Sequence, residues 1–148
     1  MSTNHDISKI DDLVTTLIDS VKGYEHSAQK VDSPDLKALF IDLATQRRAA
    51  VELLQEASRA LGGTPNDFGS AAATIHRRIE DLRVALGGGD KAIISEIERG
   101  EDYLKEEFDR VRNDDALSAS ILDVVNRAYA SVTSGHTAIS GLKHELAG

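Results

Sequence analysis

One glutamate and one arginine stand at helix positions where the surrounding pattern requires an apolar side chain. Within the stretch ERGEDYLKEEF, Glu101 shares a helix face with Ile94, Ile97, Leu104, Phe108 and Val111. Arg47 interrupts a similar apolar series between Leu43 and Ala50. A carboxylate in a helical core requires a cation beside it, either a metal ion or a basic side chain. A metal ion would bring redox chemistry, whereas a basic side chain would form a structural ion pair.

Carboxylate and imidazole ligands for iron or manganese are the first alternative. The candidate metal ligands are Glu98, Glu101, His76 and His136. A ferritin-like di-iron site needs Glu-x-x-His on two helices, and the sequence contains no such motif. The nearest equivalents on two other helices are AxxR at 44–47 and TxxH at 133–136. Residue counts from the predicted connections also place His136 at a different height along the bundle axis, well below Glu101. Because an arginine at a ligand position repels metal, we expect no cofactor, with iron or manganese kept as the alternative.

A layer of paired charges is the second alternative. Counting residues from each predicted connection places four charged side chains at one height along the bundle, with Tyr24 about a turn away. They are Asp19, Arg47, Glu101 and Arg127. Two acids and two bases neutralise one another, so this structural polar layer needs no metal. The spacing suggests no Ser-His-Asp or Cys-His arrangement either, and we assign no catalytic or cofactor-binding residue. The pattern therefore favours a protein that is not an enzyme.

The composition restricts the partners that the chain is expected to have. Its net charge of −8 and the lack of a basic stripe argue against nucleic acid and anionic membranes. There is no cysteine, which excludes disulfides and thiolate metal sites. The polar start MSTNHDISKIDD is unlike a signal peptide, and no apolar run approaches the length of a membrane span. We expect a cytoplasmic protein.

Apolar residues recur at steps of three and four along most of the 148 residues, which predicts a single all-α domain. Four long helices are predicted at about 6–31, 35–61, 90–112 and 116–146, with a shorter one at about 70–86. Ser33 and Asp90 are the expected N-caps of the second and fourth predicted helices, and Gly62 the expected stop of the second. No segment alternates as a strand does.

The unequal helix lengths predict the topology. Two antiparallel hairpins of long helices would form a four-helix bundle, and the short helix would cross between them along its side. Such a crossover returns the chain to the end from which it started. The second and fourth predicted helices would then be parallel, which gives a ferritin-like bundle with a crossover helix.

Several motifs in a fixed order also resemble a bacterial family of ferritin-like four-helix-bundle proteins of unknown function. They are ALFIDLATQR (38–47), ALGG (60–63), IHRR (75–78), ERGED (98–102) and the late His136. The resemblance covers nearly the whole chain, from about Ile7 to Leu142. It implies a ferritin-like fold without an established activity, and by analogy with related bundles it implies a role in stress.

The leading hypothesis is a non-catalytic bundle that forms a homo-oligomer, most simply a dimer. Its polar layer would fix the register of the helices. Iron or manganese binding is the second hypothesis. A helical protein-interaction module is the third, because four apolar residues lie beside the main seams and widen the apolar faces. These are Leu13, Ile18, Leu122 and Tyr129. No residue pattern identifies a protein partner.

Overall fold

Four long helices make up the part of the chain that the structure describes. The computed structural model describes residues 3–67, 69 and 89–147, with side chains as far as Leu142. The helices are α1 (Thr3–Lys30), α2 (Pro34–Ala60), α3 (Asp90–Arg112) and α4 (Ala119–Ala147). These ranges contain no strand, so the predicted all-α fold is confirmed for them. The predicted crossover helix at 70–86 lies outside the described residues.

The helices pack as a four-membered bundle in which α1 and α4 are each neighbours of both α2 and α3. Hydrogen bonds at the two ends give the helix directions. The Asp90 carboxylate accepts from the backbone N–H groups of Asp32 and Ser33, at 2.7 and 3.0 Å, so α3 begins beside the turn between α1 and α2. At the other end His5 hydrogen-bonds to Asp114 at 2.6 Å. Helices α2 and α3 are therefore parallel, as the topology argument predicts.

Local sequence explains how α2 begins and ends. The Ser33 hydroxyl accepts a hydrogen bond from the N–H of Leu36 at 3.3 Å, and Pro34 occupies the first turn. At the far end Gly62 has a φ of 92°, and the N–H of Gly63 donates to the Ser58 carbonyl at 2.8 Å. This is the glycine stop that the sequence predicts, because only glycine adopts that φ without strain.

The N-cap of α3 differs from the prediction, and α1 and α4 begin about three residues before and after their predicted starts, respectively. Gly89 is the N-cap of α3, and Asp90 is its first residue, so the predicted Asp90 cap is wrong; its carboxylate binds the α1–α2 turn instead. Helix α4 begins at Ala119 because the buried Asp6 carboxylate accepts from both the N–H and the hydroxyl of Ser118. An anion is favourable there, since the first N–H groups of a helix have no partner within it.

The core is mainly aliphatic, as the low aromatic content requires. Its fully enclosed apolar side chains include Ile10, Leu13, Leu17, Phe40, Leu54, Ile93, Leu104, Phe108 and Val125. Each such leucine, isoleucine or phenylalanine contributes about 1.5–3 kcal/mol relative to an exposed side chain. Within the ranges described, none of the helices is long and apolar enough to cross a membrane.

Candidate functional site

Arg47 of α2 is completely buried in the middle of this core. It lies there because it occupies the apolar seam of α2, three residues after the buried Ala44 and three before the buried Ala50. Its Nη2 donates to Glu101 Oε2 at 2.7 Å, and both side chains of this ion pair are at most 2% exposed. The basic partner expected for Glu101 is therefore a residue of the neighbouring hairpin.

The second oxygen of Glu101 also accepts a hydrogen bond. The hydroxyl of Tyr24, on α1, donates to Glu101 Oε1. Tyr24 is itself buried, and the Arg47 guanidinium lies 5.6 Å from the centre of its ring. The carboxylate thus accepts one hydrogen bond from a phenol and one from a guanidinium. Such charge-assisted bonds are roughly twice as strong as neutral ones, which offsets part of the cost of burying the charges.

The environment of Tyr24 opposes its ionisation. Burial raises the pKa of Tyr24 far above the ordinary value of about 10, and the negative charge of Glu101 raises it further, while the positive charge of Arg47 acts in the opposite direction. Tyr24 therefore remains a hydrogen-bond donor at neutral pH and above the ordinary tyrosine range. It cannot serve as a base near neutrality.

Arg47 contacts all three of the other helices. Nη1 donates to the Ser20 hydroxyl of α1 at 2.7 Å, and Nη2 also points at the carbonyl of Val132 in α4, at 3.5 Å. Gly135, one turn further along α4, lies against the same guanidinium. Among the described residues Arg47 Nε has no hydrogen-bond partner. We call Ser20, Tyr24, Arg47, Glu101 and Gly135 the central cluster.

A groove of about 990 Å³ between α1 and α3 leads towards the central cluster. Its walls include Gly23 on α1 and Gly100 on α3, and a Cβ built on Gly100 would contact nothing within 4 Å. Tyr24 and Glu101 form part of its floor, but each is only 2% exposed. The groove therefore gives a ligand little access to the polar atoms of the cluster.

The structure brings together three of the five residues predicted for the polar layer, namely Tyr24, Arg47 and Glu101. Arg127 lies elsewhere: its side chain is 63% exposed and pairs with Asp123 one turn away on α4, at 2.7 Å. Asp19 lines the groove between α1 and α3, and its carboxylate lies beside Gly69. The hydroxyl that Arg47 contacts on α1 belongs to the next residue, Ser20.

The structure describes three of the four candidate metal ligands. His136 lies next to Gly135, and therefore near the height of Glu101 rather than well below it, and its Nε2 hydrogen-bonds to Asp102 at 2.7 Å. Glu98 is half-buried one turn before Glu101 on α3, and His76 lies outside the described residues. No group of three or more histidine or acidic side chains suited to a metal ion occurs in 3–67, 69 and 89–142.

The apolar residues proposed as an interaction strip belong largely to the core. Leu13 and Ile18 are buried, while Leu122 and Tyr129 are half-buried against the core. The Tyr129 ring also lies 5.9 Å from that of Phe108 and 4.0 Å from the Arg112 guanidinium.

Comparison with known family models matches more than half of the chain. The model of a family described as a domain of unknown function (DUF2383) matches residues 5–114. The matched range contains Tyr24, Arg47 and Glu101, and it ends before α4, which supplies Gly135. No curated protein matches the chain.

Proposed function

The chain belongs to the DUF2383 family, and we propose that it is a non-catalytic, self-associating helical bundle whose buried ion pair fixes the alignment of its helices. The observation that carries this proposal is the position of Arg47, which contacts α1, α3 and α4 from within α2. A guanidinium held in this way has one favourable position along each neighbouring helix. A shift of α2 or α3 by one turn would leave the Arg47 charge buried and unpaired, which costs about 3–5 kcal/mol. A shift of α1 would remove the hydrogen bonds that Ser20 and Tyr24 make to the pair.

The hydrogen bonds that Glu101 already accepts support a structural rather than a catalytic role. A general acid or base must come within hydrogen-bond distance of the proton that it transfers. Both oxygens of Glu101 already accept hydrogen bonds from Tyr24 and Arg47. Burial and the adjacent carboxylate keep the Tyr24 phenol protonated by raising its pKa. The cluster therefore contains no group poised to exchange a proton with a substrate.

The helix directions support a ferritin-like assignment within the proposal. Parallel α2 and α3, with antiparallel partners in each hairpin, distinguish that topology from a simple up-down-up-down bundle. The residues present do not fit the di-iron centre of such folds. The Arg47 guanidinium lies 2.7 Å from the carboxylate that would bind metal, and a fixed positive charge there repels a cation. The stress role implied by resemblance has no residue of this site to support it.

Elemental analysis of the untagged protein tests the metal-free interpretation. We expect no stoichiometric iron or manganese in the purified protein or after anaerobic loading with Fe(II) or Mn(II), in either the wild type or Glu101→Gln. Near-stoichiometric metal in the wild type that disappears in Glu101→Gln would make Glu101 a metal ligand and overturn the proposal.

Sedimentation equilibrium tests self-association separately. We expect a concentration-dependent dimer in the micromolar range, and a monomer at every concentration would refute this part of the proposal. The two measurements are independent, so a metal-free monomer would leave the structural role of the ion pair in place.

A further inference from the structure

One face of α3 carries a regular row of side chains that we call the α3 stripe, in which Arg99, Tyr103 and Arg110 are exposed and the two glutamates are partly buried. It consists of Glu96, Arg99, Tyr103, Glu107 and Arg110. The successive spacings are three, four, four and three residues, so the row runs along one side of the helix for about 21 Å. The Arg99 side chain is 72% and Tyr103 55% exposed, whereas the Glu96 side chain is only 11% exposed and lies 3.5 Å from Arg99 of its own chain. All five residues line the groove between α1 and α3.

The charges of the α3 stripe are arranged symmetrically about Tyr103, but with opposite signs. Arg99 lies four residues before Tyr103, and Glu107 lies four residues after it. Glu96 and Arg110 repeat this relationship at seven residues. When two such helices lie antiparallel with Tyr103 on the twofold axis, every charge faces one of opposite sign: Arg99 faces Glu107, and Glu96 faces Arg110. A self-complementary patch of this kind is what a twofold dimer requires.

The shape of the α3 stripe supports the same pairing. Tyr103 is one of two large apolar or aromatic side chains that are more than half exposed in the described part of the chain. Gly100 lies one turn before it, and a Cβ built there would contact nothing within 4 Å. Each α3 therefore presents a projecting ring and an adjacent hollow. In an antiparallel pair the ring of one helix falls near the hollow of the other, as in knobs-into-holes packing.

We propose that the α3 stripe is the surface through which a second copy of this chain binds, as an antiparallel α3 pair centred on Tyr103. The proposal rests on the self-association given under Proposed function and identifies its interface. Tyrosine is enriched among the residues that dominate binding energy at interfaces. The two Arg99–Glu107 ion pairs around it would select the antiparallel alignment and speed association more than they strengthen it.

Two charge-reversal variants test the alignment. In Arg99→Glu, position 99 faces Glu107 of the second copy with the same charge, and in Glu107→Arg, position 107 faces Arg99 with the same charge. We expect each variant alone to raise the dimer Kd about tenfold or more. A mixture of the two should form a 1:1 heterodimer, because both facing pairs then have opposite signs. Arg127→Glu, the same substitution at an exposed site on α4, is the control and should leave the Kd unchanged.

A cysteine cross-link provides a second test that does not depend on charge. The chain has no cysteine, so Tyr103→Cys introduces a single thiol close to the proposed twofold axis. We expect mild oxidation to produce a disulfide-linked dimer from Tyr103→Cys. Ile41→Cys, which replaces the comparably exposed Ile41 of α2, should stay monomeric on a non-reducing gel. This test covers the case in which Glu107→Arg fails to fold because Glu107 accepts hydrogen bonds from Thr16 and Tyr103 within its own chain.

The outcomes separate the interface from self-association itself. A wild-type monomer refutes both. A wild-type dimer whose Kd is unaffected by Arg99→Glu, with no complementation on mixing and no cross-link through position 103, refutes the α3 stripe and leaves self-association standing. Complementation together with cross-linking through position 103 supports the interface as proposed.

Discussion

Gly135 of α4 and Arg47 of α2 are packed so closely that no side chain fits between them. A Cβ built on Gly135 would lie 2.3 Å from Nη2 of Arg47 and 3.5 Å from Oε2 of Glu101. The guanidinium cannot easily move aside, because the same Nη2 donates to Glu101 and the residue is completely buried. A helix-destabilising glycine in the middle of α4 thus makes the space in which the ion pair forms.

This contact predicts opposite effects for two glycine substitutions on the same helix. Gly135→Ala should lower the free energy of unfolding by about 1–3 kcal/mol, because the added methyl group displaces Arg47. Gly141→Ala is the matched control, since a Cβ there meets nothing within 4 Å. It should raise stability by up to about 1 kcal/mol through helix propensity. Urea unfolding of both variants measures the difference, and equal stabilisation of the two would contradict the packing described.

Removing one partner of the buried pair should lower the free energy of unfolding more than replacing Tyr24, Arg47 and Glu101 together. Glu101→Leu leaves the Arg47 charge unpaired, and we expect it to cost about 3–5 kcal/mol of unfolding free energy. The triple variant Tyr24→Phe, Arg47→Met, Glu101→Leu leaves none of these three groups in the core, and should recover most of that loss.

Chemical denaturation gives the stabilities, and amide hydrogen exchange tests alignment. If the pair fixes register, the triple variant should show weaker protection or several sets of NMR signals despite its stability. Wild-type stability for Glu101→Leu, or a triple variant with a single well-protected set of signals, would count against the specificity argument.

Stability at high pH should depend on Tyr24. Its pKa is raised in the folded protein by burial and by Glu101, so the unfolded chain releases this proton first. Stability from Tyr24 is complete below the unfolded pKa of about 10 and decreases as the pH rises above it. Absorbance at 295 nm should show that one of the three tyrosines ionises only as the helical circular dichroism is lost. In Tyr24→Phe this coupled step should be absent, and its persistence would contradict the assignment.

The contact between Asp114 and His5 should contribute to stability except in acid. The N–H of Ala116 and the ring of His5 hydrogen-bond to this carboxylate and lower its pKa below the ordinary value of 3.8. Stability from Asp114 is therefore present above the unfolded pKa and is lost as the pH falls below it. The wild type should have a higher Tm than Asp114→Asn in mildly acidic solution, and the difference should vanish in strong acid. Asp115→Asn, which makes the same substitution at the exposed neighbouring position, is the matched control.

Sequence reasoning located the polar centre because charged residues on an apolar seam are conspicuous. Arg47 and Glu101 violate the periodicity of α2 and α3, and the period alone points them inward. Residue counts estimate height along a helix but say little about rotation around it, and neighbouring residues differ by about 100°. For this reason the counts selected Asp19 where Ser20 contacts Arg47. They also selected Arg127, which is exposed while the next residue, Ala128, is buried.

The contribution of α4 was harder to predict than that of the other helices. Gly135 carries no side chain, so no hydrophobic or charge pattern marks it as a neighbour of Arg47. The start of α4 at Ala119 depends on the distant carboxylate of Asp6, which sequence periodicity does not reveal. Placing the start at 116 contributed to the incorrect height for His136. The available signal is Gly135 itself, because a glycine inside a long helix can mark a place where a buried side chain packs closely.

The ion pair between the two hairpins also has a consequence for the kinetics of folding. Arg47 belongs to the α1–α2 hairpin and Glu101 to the α3–α4 hairpin, so both charges remain hydrated until the hairpins dock. Each hairpin contains mostly local contacts and is expected to form quickly, whereas docking must strip water from two ions together. We therefore expect the pair to form after the rate-limiting barrier. Replacing Glu101 should then accelerate unfolding strongly and change the refolding rate little. The ion pair would therefore contribute to kinetic stability by slowing unfolding.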